Sequence, residues 1–100
     1  MATTKPAKLT EDLINDRMLR LRGWTREDWA ISRTVQFRDF KESKAFVDRV
    51  AEAAEKEQHH PDIHIEYNKV RLVLSTHSAG GLTDKDFAMA EEIDRLAANR

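Results

Sequence analysis

The stretch His59-His60-Pro61-Asp62-Ile63-His64-Ile65-Glu66-Tyr67-Asn68-Lys69-Val70-Arg71-Leu72-Val73-Leu74-Ser75-Thr76-His77 decides how this chain folds. Ile63, Ile65 and Tyr67 alternate with His64 and Glu66; Val70, Leu72 and Leu74 alternate with Arg71 and Ser75. That period of two belongs to strands with one buried face. Asn68-Lys69 lies between the runs as a two-residue turn, since Asn tolerates positive φ. A hairpin closed there sets Tyr67 against Val70, Ile65 against Leu72 and Ile63 against Leu74 on one apolar face. Glu66 then meets Arg71 on the other face as an opposite-charge cross-strand pair. A slip of one residue would turn both faces over, so the alternation itself argues for the register. Continued to the open end, this register places His60 opposite His77. Pro61 falls at the strand start, where its missing N–H is tolerated.

Working outward, Asp39 and Glu42 form a capping box that opens a helix ending near Gln58, with Phe46, Val47, Val50, Ala51 and Ala54 as its apolar stripe. Before it, Trp29, Ile31, Val35 and Phe37 alternate as a strand, with Arg33 breaking the pattern and a short strand near Trp24-Thr25 ahead of it. Thr10 caps an earlier helix carrying Leu13, Ile14, Met18 and Leu21, which Gly23 ends. After the hairpin, Ser78-Ala79-Gly80-Gly81 is a turn. Thr83 caps a last helix with Asp84 and Asp86 in its first turn and Phe87, Ala90, Ile93 and Ala97 on its apolar face. Helices separated by local hairpins predict an α+β fold, with helices covering one face of an antiparallel sheet.

The chain has 100 residues, 40% apolar and 35% charged, with a net charge of −1. Such a length holds one domain, expected over residues 9–100 after a flexible leader at residues 1–8. The modest core makes burial of one face in a homo-oligomer a natural remedy. No basic stripe favours nucleic acid, and no apolar run reaches membrane length. The chain has no cysteine, which suits the cytoplasm and removes thiolate metal sites.

Three of the four histidines, His59, His60 and His77, are thus brought toward one place. Imidazole both gives and takes protons near neutral pH, so the cluster reads as an acid/base site. A metal site is the weaker reading: adjacent histidines diverge in extended chain, and no second ligand one helical turn away supports them. His59 taken alone also suits a helix C-terminus, where a cation meets the dipole. Glu55, one turn before His59, can orient an imidazole or simply face solvent. Asp86 reads first as a helix-stabilising acid. His64, on the polar strand face, is a solvated or interface residue.

Taken together, Glu55, His59-His60-Pro61, Tyr67-Asn68-Lys69-Val70, Ser75-Thr76-His77, Gly81-Leu82-Thr83 and Asp86 make a pattern that resembles the pterin-4a-carbinolamine dehydratase family. Gly23-Trp24 and Phe37-Arg38-Asp39-Phe40 are also similar to the family, so the likeness runs from about Leu9 onward. The resemblance implies a four-stranded antiparallel sheet with about three helices on one face, assembled as a homodimer or homotetramer. It implies dehydration of 4a-hydroxytetrahydrobiopterin, or a related 4a-hydroxytetrahydropterin, in the recycling of the pterin used by aromatic amino acid hydroxylases. Neither a metal nor an organic cofactor is implied. His59, His60 and His77 are carried over as catalytic, with Gln58, Ser75, Thr76 and Ser78 joining them around the substrate and Glu55 and Asp86 in support. Gln58 and Ser78 stand where relatives often carry acids. The resemblance also implies a different class of role: an oligomeric module that helps a transcription regulator dimerise.

Overall fold

The computed structural model describes residues 7–99, so the expected leader lies, up to residue 6, outside the described residues. The elements run α1 (Glu11–Met18), β1 (Thr25–Glu27), β2 (Ala30–Gln36), α2 (Phe40–Glu57), β3 (Asp62–Glu66), β4 (Lys69–Leu74) and α3 (Asp84–Ala98). The strands form one antiparallel sheet in the order β1-β2-β4-β3. This is the α+β arrangement expected from the pattern.

Alternation explains which face is covered. Ile31 and Val35 of β2 and Val70, Leu72 and Leu74 of β4 are buried, and pack with Phe46, Val50 and Ala54 of α2 and Phe87, Ala90 and Ile93 of α3. Their neighbours Thr34, His64, Glu66 and Lys69 point away and are exposed. Each fully buried aromatic or branched side chain of this set contributes about 1.5–3 kcal/mol by leaving water. Arg33, which interrupts the apolar run, lies between Ile31 and Val35 and pairs with Asp94 of α3. The indole N–H of Trp24 donates to the same carboxylate at 2.8 Å. The intruding charge therefore fastens the sheet to α3.

The caps form as their residues dictate. Asp39 accepts from the Glu42 N–H at 2.9 Å, while Glu42 reaches back to the Arg38 N–H at 3.0 Å. Thr83 and Asp86 complete a reciprocal capping box at the start of α3. α1 begins after Thr10 as expected but ends at Met18, well before Gly23. Its last turn tightens, with the Arg20 and Leu21 N–H groups bonding only three residues back. Gly23 instead serves a turn at φ 81°.

Two expectations are corrected. Trp29 is not an inward strand residue: it occupies the β1–β2 loop and is 69% exposed. The β3–β4 hairpin closes on Tyr67-Asn68, not Asn68-Lys69, so Ile63 faces Leu72, Ile65 faces Val70 and Glu66 faces Lys69. The ladder is shifted by two residues from the expected one. A shift of two leaves every side chain on its own face, so the alternation cannot choose between such registers. Contact with the residue just past the end of β2 chooses. Phe37 donates its N–H to the Asn68 carbonyl at 2.7 Å, and the Asn68 amide returns a bond to the Phe37 carbonyl at 3.1 Å. Asn68 is held there, and Tyr67 takes the first loop position at φ 52°. Glu66 consequently does not meet Arg71, which pairs with Glu27 of β1 at 3.0 Å. Continued past Pro61, the observed register sets Ser75, not His77, against His60.

Candidate active site

The end of α2 aims the first two histidines. Gln58 closes the helix in the left-handed region, at φ 53°, and the His59 N–H returns to the Ala54 carbonyl at 3.1 Å. This six-to-one bond and left-handed closing residue turn the chain sharply back along the helix. Pro61 then disfavours helical backbone at His60, so the chain leaves extended toward β3. His59 is carried onto the start of α3, where its Nε2 lies 2.6 Å from Asp86 Oδ1. His60 turns outward to Glu55, with which it pairs through Nε2.

His77 is placed by a different device. The Thr76 N–H donates to the Gly81 carbonyl at 3.0 Å and the Gly81 N–H returns at 3.3 Å. This pinch lifts His77-Ser78-Ala79 as a single tight turn, closed by Gly80 at φ 73°. The left-handed φ at that position suits glycine. His77 stands exposed at the tip, and its ring has no hydrogen-bond partner among the described residues.

Asp86 anchors the interior. Its side chain is fully buried. Oδ2 accepts from the Thr76 hydroxyl at 2.8 Å and from the Thr83 N–H at 2.9 Å. The Thr83 hydroxyl lies 2.8 Å from that of Thr76 and accepts from the Lys85 N–H at 3.2 Å. Since Thr76 spends its proton on Asp86, the Thr83 hydroxyl donates to Thr76. The chain of donors therefore ends on Asp86, and with that carboxyl ionised the neutral His59 ring meets it through a proton on Nε2. That tautomer leaves Nδ1 as the nitrogen able to exchange a proton with a ligand. No buried side-chain polar atom lacks a partner among the described residues.

All the residues expected around a ligand, Gln58 to His60 and Ser75 to Ser78, line one cleft of about 260 Å³. The two histidine segments converge across the cleft and not as partners in a ladder. His59 keeps 11% of its side chain exposed and His60 54%. Glu55 touches His60, not His59. Asp86, expected as a helix-stabilising acid, completes the α3 capping box and is also the partner of His59. His64 stays apart on the open face of the sheet. Sequence reasoning missed Lys85, which also lines the cleft and whose ammonium has no ion-pair partner among the described residues. A lone lysine in a helix first turn carries no signal. Nor did the sequence mark Thr76 as the donor joining Asp86 to the strand end. Among the described residues, no group of three histidine, aspartate or glutamate side chains stands close enough to hold a metal ion together. No helix among them is long and apolar enough to cross a membrane.

Comparison with known proteins identifies the family of the chain. The family model for pterin 4 alpha carbinolamine dehydratase matches residues 7–96. A relative from Thermomicrobium roseum, provisionally named a pterin-4-alpha-carbinolamine dehydratase, is 47% identical over 92 residues, covering 92% of this chain and 99% of its own. One from Mycobacteroides abscessus, with the same provisional name, is 52% identical over 88 residues, or 88% of this chain and 94% of its own. A Brucella melitensis structure described as a transcriptional coactivator/pterin dehydratase superposes with a TM-score of 0.86 at 38% identity, over 90% of this chain and 98% of that one. A pterin dehydratase-like protein described as a RuBisCO assembly factor shares the fold, with a TM-score of 0.65 at 23% identity over 76% of this chain and 90% of that one. On its matched length, its cleft-bearing fold and these relatives, the chain belongs to the pterin 4 alpha carbinolamine dehydratase family.

Proposed function

We propose that the chain dehydrates a 4a-hydroxytetrahydropterin, 4a-hydroxytetrahydrobiopterin being the expected substrate, to quinonoid dihydropterin and water. The observation that carries this reading is His59, locked by buried Asp86 through Nε2, facing the same cleft as His60 and His77. In the substrate, the departing hydroxyl sits on C4a and the adjacent N5 carries a proton. Dehydration protonates the hydroxyl, breaks the C4a–O bond, forms C4a=N5 and removes the N5 proton. Two imidazoles on either side of a bound ring can perform both transfers. His59 is the member with fixed tautomer and orientation, and His77 is its partner in the exchange. His60, more exposed and held by Glu55, assists at the mouth. Gln58, Ser75 and Ser78 supply polar contacts to the ring edges, Thr76 lines the pocket while its hydroxyl holds Asp86, and Lys85 adds a cation beside them. No metal or organic cofactor is needed for this chemistry. We place the reaction in the cytoplasm, in pterin recycling beside an aromatic amino acid hydroxylase. We also infer a homodimer or homotetramer, for which the outer edges of β1 and β3, unpaired among the described residues, are available.

Stopped-flow dehydration of the 4a-hydroxypterin tests the reading. His59→Ala and His77→Ala are expected to lower the rate by ~10²–10⁴-fold, the usual worth of a positioned acid or base. A wild-type rate no faster than buffer would sink the enzymatic role.

The Brucella relative's double description favours a second reading, an oligomeric module that acts as a dimerisation cofactor of a transcription regulator. A partner-binding role survives loss of the imidazoles, whereas dehydration does not. Retention of partner binding by a His59→Ala/His77→Ala double variant would separate the two roles.

A further inference from the structure

The histidine cleft does not end at His77. Ser75, Thr76 and His77 are also one wall of a second groove of about 430 Å³, whose other wall is Trp29 with Gly80 and Gly81. Trp29 is the largest aromatic side chain on the exposed surface, at 69% exposure. Its hairpin tip is braced: Arg26 donates through Nε to the Asp28 carbonyl at 2.8 Å and grips Glu11 of α1 with both terminal nitrogens, at 2.6 and 2.7 Å. An exposed indole on a braced loop, beside a cleft of imidazoles, is a rigid planar surface already in position, so little ordering is lost when a flat ligand meets it.

We infer that Trp29 is a substrate-binding residue that stacks on the pyrimidinone half of the pterin. The inference rests on the dehydratase reading and says which end of the ligand lies where. The reacting C4a–N5 edge must lie at the imidazoles. The flat pyrimidinone extends from that edge on one side, and carbon 6 with its substituent on the other. The groove past His77 offers an indole and, at Gly80, open space where a side chain would stand, which admits a flat ring. The groove on the far side of His59 is lined by Glu57, Lys85, Glu92 and Arg95, among others, and suits a hydroxylated substituent. The two grooves thus orient the ring in a single sense.

The test compares wild type, Trp29→Ala and Trp29→Phe in binding two stable reduced pterins, 7,8-dihydrobiopterin and 6-methyl-7,8-dihydropterin, by calorimetry. Trp29→Ala is expected to weaken both about tenfold, within the range measured when a stacked aromatic is removed from a base. Trp29→Phe should restore most of the loss, and in the dehydration assay Trp29→Ala should raise KM with kcat nearly unchanged. Unchanged dissociation constants overturn the inference. A loss confined to 7,8-dihydrobiopterin overturns it too, by placing the indole at the substituent. A changed oligomeric state in Trp29→Ala, with no rescue of binding by Trp29→Phe, would assign the indole to a subunit interface and overturn it as well. The two readings fail separately. An inactive wild type with Trp29-dependent binding sinks the reaction alone, and an active wild type with Trp29-independent binding sinks the stacking alone.

Discussion

Asp86 holds more of the site together than any other single residue. Its two oxygens receive His59, Thr76 and the Thr83 N–H, so one buried carboxylate joins the end of α2, the end of β4 and the start of α3. Asp86→Asn keeps the volume but puts an NH₂ group where a donor already points. Leaving one buried donor unsatisfied costs about 1–3 kcal/mol. Thermal unfolding of Asp86→Asn should show a loss of that order. In the dehydration assay kcat should fall ~10–100-fold, the usual consequence of losing an outer partner that orients a histidine. A variant with wild-type kcat would remove His59 orientation from the mechanism. The sequence displayed half of this role: an acid in the first turn after Thr83 reads as a helix-stabilising group. The other half, contact with a histidine 27 positions away, depends on how α2 meets α3.

At the scale of elements, the decisive piece is the turn that ends α2. Gln58 occupies a left-handed conformation that costs an ordinary L-residue roughly 1–2 kcal/mol and a glycine almost nothing. Its side chain offsets part of this by donating to the Glu55 carbonyl at 2.6 Å. Gln58→Gly should therefore raise the unfolding free energy slightly, by up to about 1 kcal/mol, as expected for the residue favoured at this position. The same change strips a side chain from the cleft, so KM should rise while stability improves. Lower stability together with lower KM would mean that the Gln58 side chain holds the turn and not the ligand. The hairpin teaches a complementary lesson. The faces of Ile63, Ile65, Val70, Leu72 and Leu74 were legible because a period of two names a face. The register was not legible, because two ladders offset by two residues share the same faces, and Asn68 was claimed by Phe37, just past the end of β2. Trp29 escaped for a related reason: alternation with Ile31 ignores where a two-residue loop interrupts the strand.

For the whole molecule, surface carboxylates join the elements and set the response to acid. Glu11 is held below the usual carboxylate value mainly by its hydrogen bond to Arg26, and Glu92 by that to Arg95. Glu27 is lowered first by the Ser32 hydroxyl and then by Arg71, and Asp39 first by the Glu42 N–H. A carboxylate with a lowered folded-state pKa stabilises the protein above its unfolded value, near about 4, and that stability is lost as pH falls through the folded value. The urea midpoint should therefore decline below about pH 4, and the decline should shrink in high salt because these groups face solvent. A midpoint that does not fall in that window would dismiss these pairs as stabilising. By itself the sequence determined the α+β class, the capping residues Asp39 and Thr83, the covered face of the sheet and, through the resemblance, the two segments that border the cleft. Those follow from periodicity, cap chemistry and a residue pattern similar to a known family, all of which are local or shared in order along the chain. Only the tertiary structure decided the hairpin register, the pairing of His59 with Asp86 and of His60 with Glu55, the place of Lys85 and the position of Trp29 beside His77. Each of these is a contact between elements distant in sequence or a choice among registers equal in pattern, and packing alone distinguishes them.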